Sequence, residues 1–196
     1  MKKLFFLLAI LSLSSHFTYS QNHSFGLSYS HIYSGGANDY AELAGASSYH
    51  IKNGAQYNLN YKYQLSKNLN LISGLQFQQI GMQSQNGSTT GELQTWDFQV
   101  DNLNIPILAN LTFLKYLFVE GGTMLNFQIN EEDPYGIDEQ NGIGFSLGLG
   151  IQYDTGKFNV FLKSQAQMQT LIPFNREKYY DRLLANSLSV GIFYQL

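Results

Sequence analysis

Residues 142–153, GIGFSLGLGIQY, carry a large apolar side chain at every second position: Ile143, Phe145, Leu147, Leu149, Ile151 and Tyr153. Between them stand Gly144, Ser146, Gly148, Gly150 and Gln152. Alternation with a period of two reads as a β-strand with one apolar face. In a soluble sheet the opposite face meets water and usually carries Lys, Glu, Thr or Arg. Here it carries glycine and small polar residues, so which face lies inside the protein becomes the deciding question.

The pattern recurs along the chain. Phe25, Leu27 and Tyr29 alternate with small residues, and Tyr57, Leu59, Tyr61, Tyr63 and Leu65 with Asn58, Asn60, Lys62 and Gln64. Leu69, Leu71, Leu75 and Phe77 form a weaker set. Leu103, Ile105, Ile107, Ala109, Leu111 and Phe113 follow, then Leu117, Val119, Leu125, Phe127 and Ile129. After the glycine-rich segment come Phe158, Val160, Leu162, Ala166 and Met168, and finally Leu188, Val190, Ile192, Tyr194 and Leu196. These eight segments predict eight strands, most of them near the length that crosses a bilayer at a tilt.

The connections alternate in length. Residues 66–68, 114–115 and 154–157 read as tight turns, and residues 34–55, 83–95, 130–142 and 171–186 as long loops. Short turns at one end and long loops at the other are the mark of an up-and-down transmembrane β-barrel. The expected fold is therefore all-β, an eight-stranded antiparallel barrel with both termini at the periplasmic, short-turn end. The apolar faces are expected to point outward. Facing inward, they would leave an outer wall of Gly, Ser, Asn and Gln with charge only at Lys62, Glu120 and Lys163, an unusual surface for a soluble protein. Charged residues make up only 13% of the chain, against about 25% in an average soluble domain. A closed barrel also pairs every backbone group that hydrocarbon would otherwise leave unsatisfied.

Further expectations follow. Residues 1–20 read as a signal peptide cleaved after Ser20: Lys2 and Lys3, an apolar run over residues 4–13, then Thr18-Tyr19-Ser20 with small residues where a signal peptidase reads. That leaves residues 21–196 as one barrel domain. Cleavage removes two lysines and no acid, taking the formal charge from −3 to −5. With no cysteine and no basic run, disulfides, thiolate chemistry and nucleic-acid binding are excluded. Outward-phase Phe25, Tyr63, Phe113, Tyr153, Phe158 and Tyr194 are expected to form a periplasmic aromatic girdle, with Tyr29, Tyr33 and Tyr57 in the opposite one. Lys62, Glu120 and Lys163 share the inward phase and are expected to form a buried charge cluster. Phe118, Phe161 and Phe193, also inward, would obstruct the lumen. Pro106 lies inside a strand and predicts a bulge or a missing ladder bond.

The segment NLNIPILANL, residues 102–111, resembles a segment of the PorT-like family of small outer-membrane β-barrels found in Bacteroidota, at Leu103, Ile105, Pro106 and Ile107. The segments VEGGTMLNF, GFSLGLGIQY and SLSVGIFYQL resemble that family's later strands. The resemblance implies an outer-membrane location after export, and in some members a part in protein secretion. Leu196 departs from the terminal aromatic that the barrel assembly machinery recognises in such proteins, a role Tyr194 or Phe193 would take.

No cofactor, metal or catalytic residue is expected. His31 and His50 near the outer rim, with Ser30, Ser34 and Asp39 close in sequence, are the one hint of hydrolytic chemistry. The acidic loop residues Glu131, Glu132, Asp133, Asp138 and Glu139 read as a solvated loop. In the last loop, Arg176, Lys178, Tyr179, Tyr180 and Arg182 with Leu183 and Leu184 suggest a structured contact surface, with a short helix and cations suited to lipopolysaccharide phosphates. The expected function is non-catalytic: structural, adhesive or secretion-accessory, through outer loops that meet lipid, lipopolysaccharide or an envelope protein. The alternatives are a rim enzyme acting on envelope lipid or peptide, and an exported soluble, lipocalin-like barrel with an apolar ligand inside.

Overall fold

The structure, a computed structural model, describes residues 23–38, 48–87, 93–130, 136–175 and 181–196; the segment read as a signal peptide lies outside them. It contains β1 (His23–Asn38), β2 (Ser48–Gln64), β3 (Leu69–Gly87), β4 (Leu93–Phe113), β5 (Leu117–Gln128), β6 (Gly142–Asp154), β7 (Phe158–Pro173) and β8 (Arg182–Gln195). Each strand pairs antiparallel with its neighbours in the chain, and β8 returns to β1, closing the barrel.

The question of faces has a clear answer. Leu27, Leu59, Leu147, Leu149 and Val190 are each more than half exposed on the outer wall. Inside, Ser30, Gln56, Gln78, Asn104, Ser146 and Ser189 are wholly buried. The apolar stripe faces out and the amides fill the middle.

The glycines of β6 have a packing role. β5 sends large side chains inward, and each sits opposite a small residue of β6: Phe118 opposite Gly150, Glu120 opposite Gly148, Met124 opposite Gly144 and Asn126 opposite Gly142. The same rule governs two other seams, where Gly26 faces Phe193 and Gly191 faces Phe161. A Cβ on Gly150 would lie 2.5 Å from the Phe118 ring, and one on Gly26 2.5 Å from the Phe193 ring. An eight-stranded barrel has room inside for side chains and little else, so a ring pointing inward needs a bare backbone beside it.

Three layers fill the lumen. Nearest the short turns, Phe118, Phe161 and Phe193 pack with Ile72 and Leu108, the rings of Phe161 and Phe193 lying 5.4 Å apart. Above them is a belt of neutral amides. Gln56 Nε2 donates to Ser30 Oγ and to Asn58 Oδ1. Gln78 Nε2 donates to Gln56 Oε1 and Gln167 Oε1, while Gln78 Oε1 accepts from Gln169 at 2.7 Å. Each amide carries both donor and acceptor, so most of the belt is bonded without charge, while Asn102 and Gln165 Oε1 at its edges have no hydrogen-bond partner. The third layer, toward the long loops, is apolar: Ile32, Ile51, Ile80, Met82, Phe98, Val100, Ile137, Leu183 and Ala185.

That third layer marks an inversion of the wall. Along β4 the outward side chains run Phe113, Leu111, Ala109, Ile107, Ile105, Leu103 and then Asp101, Gln99, Asp97, Thr95. The inward ones change in the opposite sense, from Asn104 and Asn102 to Val100 and Phe98, both buried. On β3, outward Phe77 gives way to Gln79, Gly81 and Gln83, while Ile80 and Met82 turn inside. The period of two continues through the boundary but the apolar residues change face. Below the boundary the outer wall suits hydrocarbon; above it the barrel is built like a soluble one, dry within and polar without.

Two sequence expectations are corrected by this inversion. Residues 34–38, 48–55, 83–87 and 93–95, expected in long loops, are strand, so β2, β3 and β4 stand well above the apolar band as a turret. In the last expected loop, Arg182, Leu183 and Leu184 belong to β8 rather than to a helix, and Leu183 is wholly buried in the turret core. At Pro106 the pairing of β3 and β4 lapses without a change of register: it runs to Ser73–Ile107 and resumes at Gln76–Asn104. The missing N–H of proline leaves the ladder one donor short there.

Candidate functional site

The two ends of the barrel differ in construction. At the long-loop end, residues 136–141 fold over the turret core instead of standing in solvent. Ile137 drops into the apolar layer and Gln140 is wholly buried. The Gln140 backbone N–H donates to Gln128 Oε1 at 2.9 Å, and its Nε2 donates to the carbonyls of Asp138 at 2.7 Å and Asp181 at 2.9 Å. Asp138 Oδ2 accepts from the Asp181 N–H at 2.8 Å, and the Tyr49 hydroxyl donates to the Gly136 carbonyl at 3.2 Å. The cap is thus tied to β2, β5 and the start of β8. Asp138, expected in a solvated loop, serves here as a backbone anchor. Of the other acidic loop residues, Glu131, Glu132 and Asp133 lie outside the described residues.

The outer surface of the turret carries an ion pair, Lys52 Nζ to Asp97 Oδ2 at 2.8 Å, with Gln83 Nε2 donating to the other carboxylate oxygen at 2.9 Å. The Lys52 and Gln83 hydrogen bonds hold the Asp97 carboxyl below its usual range. Arg182 opens β8 opposite Asn38 and is half-buried. Arg176, Lys178, Tyr179 and Tyr180, the other loop contact candidates, lie outside the described residues.

Among the described residues, neither His31 nor His50 is hydrogen-bonded to Ser30 or Ser34. Ser30 points into the lumen, where its Oγ bonds Ser189 Oγ at 2.7 Å. The adjacent His31 points out of the wall. His50 pairs with Gly36, five residues further along β1 than His31, which is about 16 Å at the rise of a strand. Asp39 lies outside the described residues.

At the short-turn end the outward aromatics meet in pairs. Phe158 and Tyr194 are 5.3 Å apart, Phe25 and Tyr61 5.3 Å, and His23 and Tyr63 5.1 Å; Phe113 is exposed on the same rim. Tyr153 stacks on Tyr116 at 6.3 Å. Tyr116 escaped the sequence reading because it sits in the turn between β4 and β5, where alternation stops.

Inside the same rim, Lys163 forms an ion pair with Glu120, which is 3% exposed. Asn110 Nδ2 approaches the other Glu120 oxygen at 3.5 Å. Lys62, expected in this cluster, does not join it by ion pairing. Its ammonium lies 4.3 Å over the Phe193 ring, and among the described residues no carboxylate is within ion-pair distance of it. Lys62, Glu120 and Lys163 do border one small void, of about 20 Å³. Below Lys62 opens a vestibule of about 900 Å³, lined by Lys62, Lys67, Lys115, Asp154, Gln152 and Asn159 among others.

No known family's sequence profile matches the chain. Nor does any curated protein match by sequence. Solved structures do match. The outer membrane protein OprG from Pseudomonas aeruginosa superposes over 90% of this chain and 97% of its own, with a TM-score of 0.54 at 10% identity. The outer membrane protein AlkL, determined in lipid bilayers, superposes over 91% and 92%, with a TM-score of 0.52 at 17% identity. The chain has the fold of the small eight-stranded outer-membrane β-barrels.

Within that barrel the sequence reading left two features undetected. One is the capping segment around Gln140: a loop rich in acids and glycine hid a single isoleucine and glutamine that turn inward. The other is the apolar turret core. Ile80, Met82, Val100 and Phe98 were visible as apolar residues at a spacing of two, but in the phase opposite to their strands' lower halves.

Proposed function

We propose that this chain is a non-catalytic outer-membrane protein that works as a contact surface, structural, adhesive or secretion-accessory, and not as a pore. The outer apolar band on β4 runs from Leu103 to Phe113, a height of about 25 Å at the usual rise and tilt of barrel strands, which matches a bilayer's hydrocarbon core. The aromatic rim then sits at the headgroups of the periplasmic leaflet, and the turret stands outside the cell. The resemblance of residues 102–111 to PorT-like barrels, and the outer-membrane location of the structural neighbours, favour the same placement.

The observation that carries the reading is the inverted wall. A loop-bearing barrel needs strands only as long as the bilayer; here β3 has 19 residues and β4 has 21. The surplus is built with its own dry core and its own cap. That raises a surface off the membrane and presents Lys52, Asp97 and Gln83 to partners. A soluble, lipocalin-like carrier would carry its apolar face inward at every height, whereas Leu147 and Leu149 on the outer wall are among the most exposed side chains of β6.

The test has two parts. Fractionation should leave the protein in the membrane after a salt or carbonate wash; release would end the membrane reading. Chemical crosslinking on intact cells, from a cysteine placed at the exposed Thr95 on the turret, should capture an envelope or extracellular partner. Replacing Lys52, Gln83 and Asp97 together by alanine should abolish that capture. Unchanged capture in the triple variant would show that the turret wall is not the contact surface.

A further inference from the structure

The vestibule at the short-turn end has the features of a binding site facing the opposite compartment. We propose that it binds a small anion, a carboxylate or phosphate on a hydrogen-bonding body, received by the ammonium of Lys62. Two lysines enter the lower barrel at neighbouring heights, and they are treated differently. Lys163 has Glu120; Lys62 has the face of Phe193 and the longer-range field of Asp154 but, among the described residues, no carboxylate within 4 Å. A ring face stabilises a cation but does not neutralise it. The remaining charges lining the cup are Lys67 and Lys115 against the single carboxylate of Asp154, and Asp154 Oδ1 already accepts from Asn159 Nδ2 at 2.5 Å. The cup as a whole therefore carries three lysines against one carboxylate.

Two more observations make it a site instead of a wet end. Asn159 is buried, and its Oδ1 has no hydrogen-bond partner. Asn159 lines the cup, and a rotation of its side chain would turn this enclosed acceptor toward an N–H or O–H of the ligand body. And Phe118, Phe161 and Phe193 pack across the barrel above the cup, so what enters does not pass through. Its volume, about 900 Å³, is that of a small-molecule pocket. The short turns add to the field: each carries a lysine, at Lys67, Lys115 and Lys157, which steers anions toward the mouth.

Titration of the full barrel in detergent micelles tests this with three probes: inorganic phosphate, an N-acetyl dipeptide with a free C-terminal carboxylate, and the same dipeptide as its amide. The expected result is saturable binding of the dipeptide acid, of phosphate, or of both, and none of the amide; which of the two saturates identifies the source of the anion. Lys62→Gln should weaken binding at least tenfold, while Lys52→Gln, on the turret at the opposite end of the barrel, should leave it unchanged. Because Lys62→Gln could disturb folding, heat-modifiable electrophoretic mobility checks the barrel. The Nζ resonance of Lys62 in the unaltered protein supplies a second readout and should move with ligand. No saturation by either anion up to about 10 mM, equal binding by a folded Lys62→Gln variant, or a Lys62 resonance that stays still would overturn the proposal.

Discussion

Gly191 and Phe161 face each other across the β7–β8 seam, and a methyl group on Gly191 would press on the Phe161 ring and come within 2.5 Å of Ser28 Cβ. Overpacked interiors typically lose about 1–3 kcal/mol, so Gly191→Ala should lower the midpoint of urea unfolding in vesicles by a corresponding amount. Gly191→Ala with Phe161→Leu should recover much of the loss; no recovery would mean that the ring is not what the glycine accommodates. Glu120 gives a second residue-scale prediction. Glu120→Gln leaves the Lys163 ammonium buried without its partner, which in a buried pair costs about 3 kcal/mol. Glu120→Gln with Lys163→Met should be closer to the unaltered protein than either single change, as read from thermal unfolding. Equal, additive losses would show that the two side chains are not coupled. At this scale the sequence was legible wherever a residue's role followed from phase alone. The inward placement of Phe118, Phe161, Phe193, Glu120 and Lys163 needed only parity. Partner choice was not legible: whether Glu120 takes Lys62 or Lys163 depends on cross-strand stagger, and stagger is set by closure of the whole ring.

Among the strands, β3 and β4 hold the clearest lesson. Their number and direction could be read from alternation, as could the three short turns. Their length could not, because a window searching for apolar residues on one fixed face stops at Phe77 or Leu103 and labels the rest loop. The physics that misleads is a change of solvent partway along an element: the rule that apolar side chains avoid water selects the outer face in lipid and the inner face above it. A strand crossing that boundary keeps its period and reverses its phase. This predicts a separable turret. Met82, wholly buried among Ile80, Phe98 and Val100, is the place to disturb it. Met82→Asp buries an unpaired carboxylate and should expose β3 and β4 above the boundary to protease added outside cells. The lower barrel should keep its heat-modifiable mobility, because its backbone pairing and amide belt are untouched. Protection equal to that of the unaltered protein would mean that the layer is not closely packed; loss of the entire barrel would mean that turret and membrane segment fold as one unit.

Taken as a whole, the molecule closes its lumen three times, with three different chemistries. The aromatic layer excludes water by bulk, the amide belt by pairing its own donors and acceptors, and the turret core by an apolar plug under the segment of residues 136–141. Ion passage would require all three to open together, since a hydrated ion that clears one layer still meets the next. The unaltered protein should therefore produce no conductance steps in a planar bilayer. Changing Phe118, Phe161 and Phe193 together to alanine removes only the lowest closure, and shortening residues 136–141 to a glycine link removes only the uppermost. Each variant alone should remain silent, because the amide belt keeps its hydrogen bonds in both. If the triple alanine variant by itself conducts, the belt is not a barrier and the barrel is a channel held shut by its rings. Silence in both variants instead leaves the two ends, turret and vestibule, as separate surfaces that communicate only through the rigidity of the wall between them.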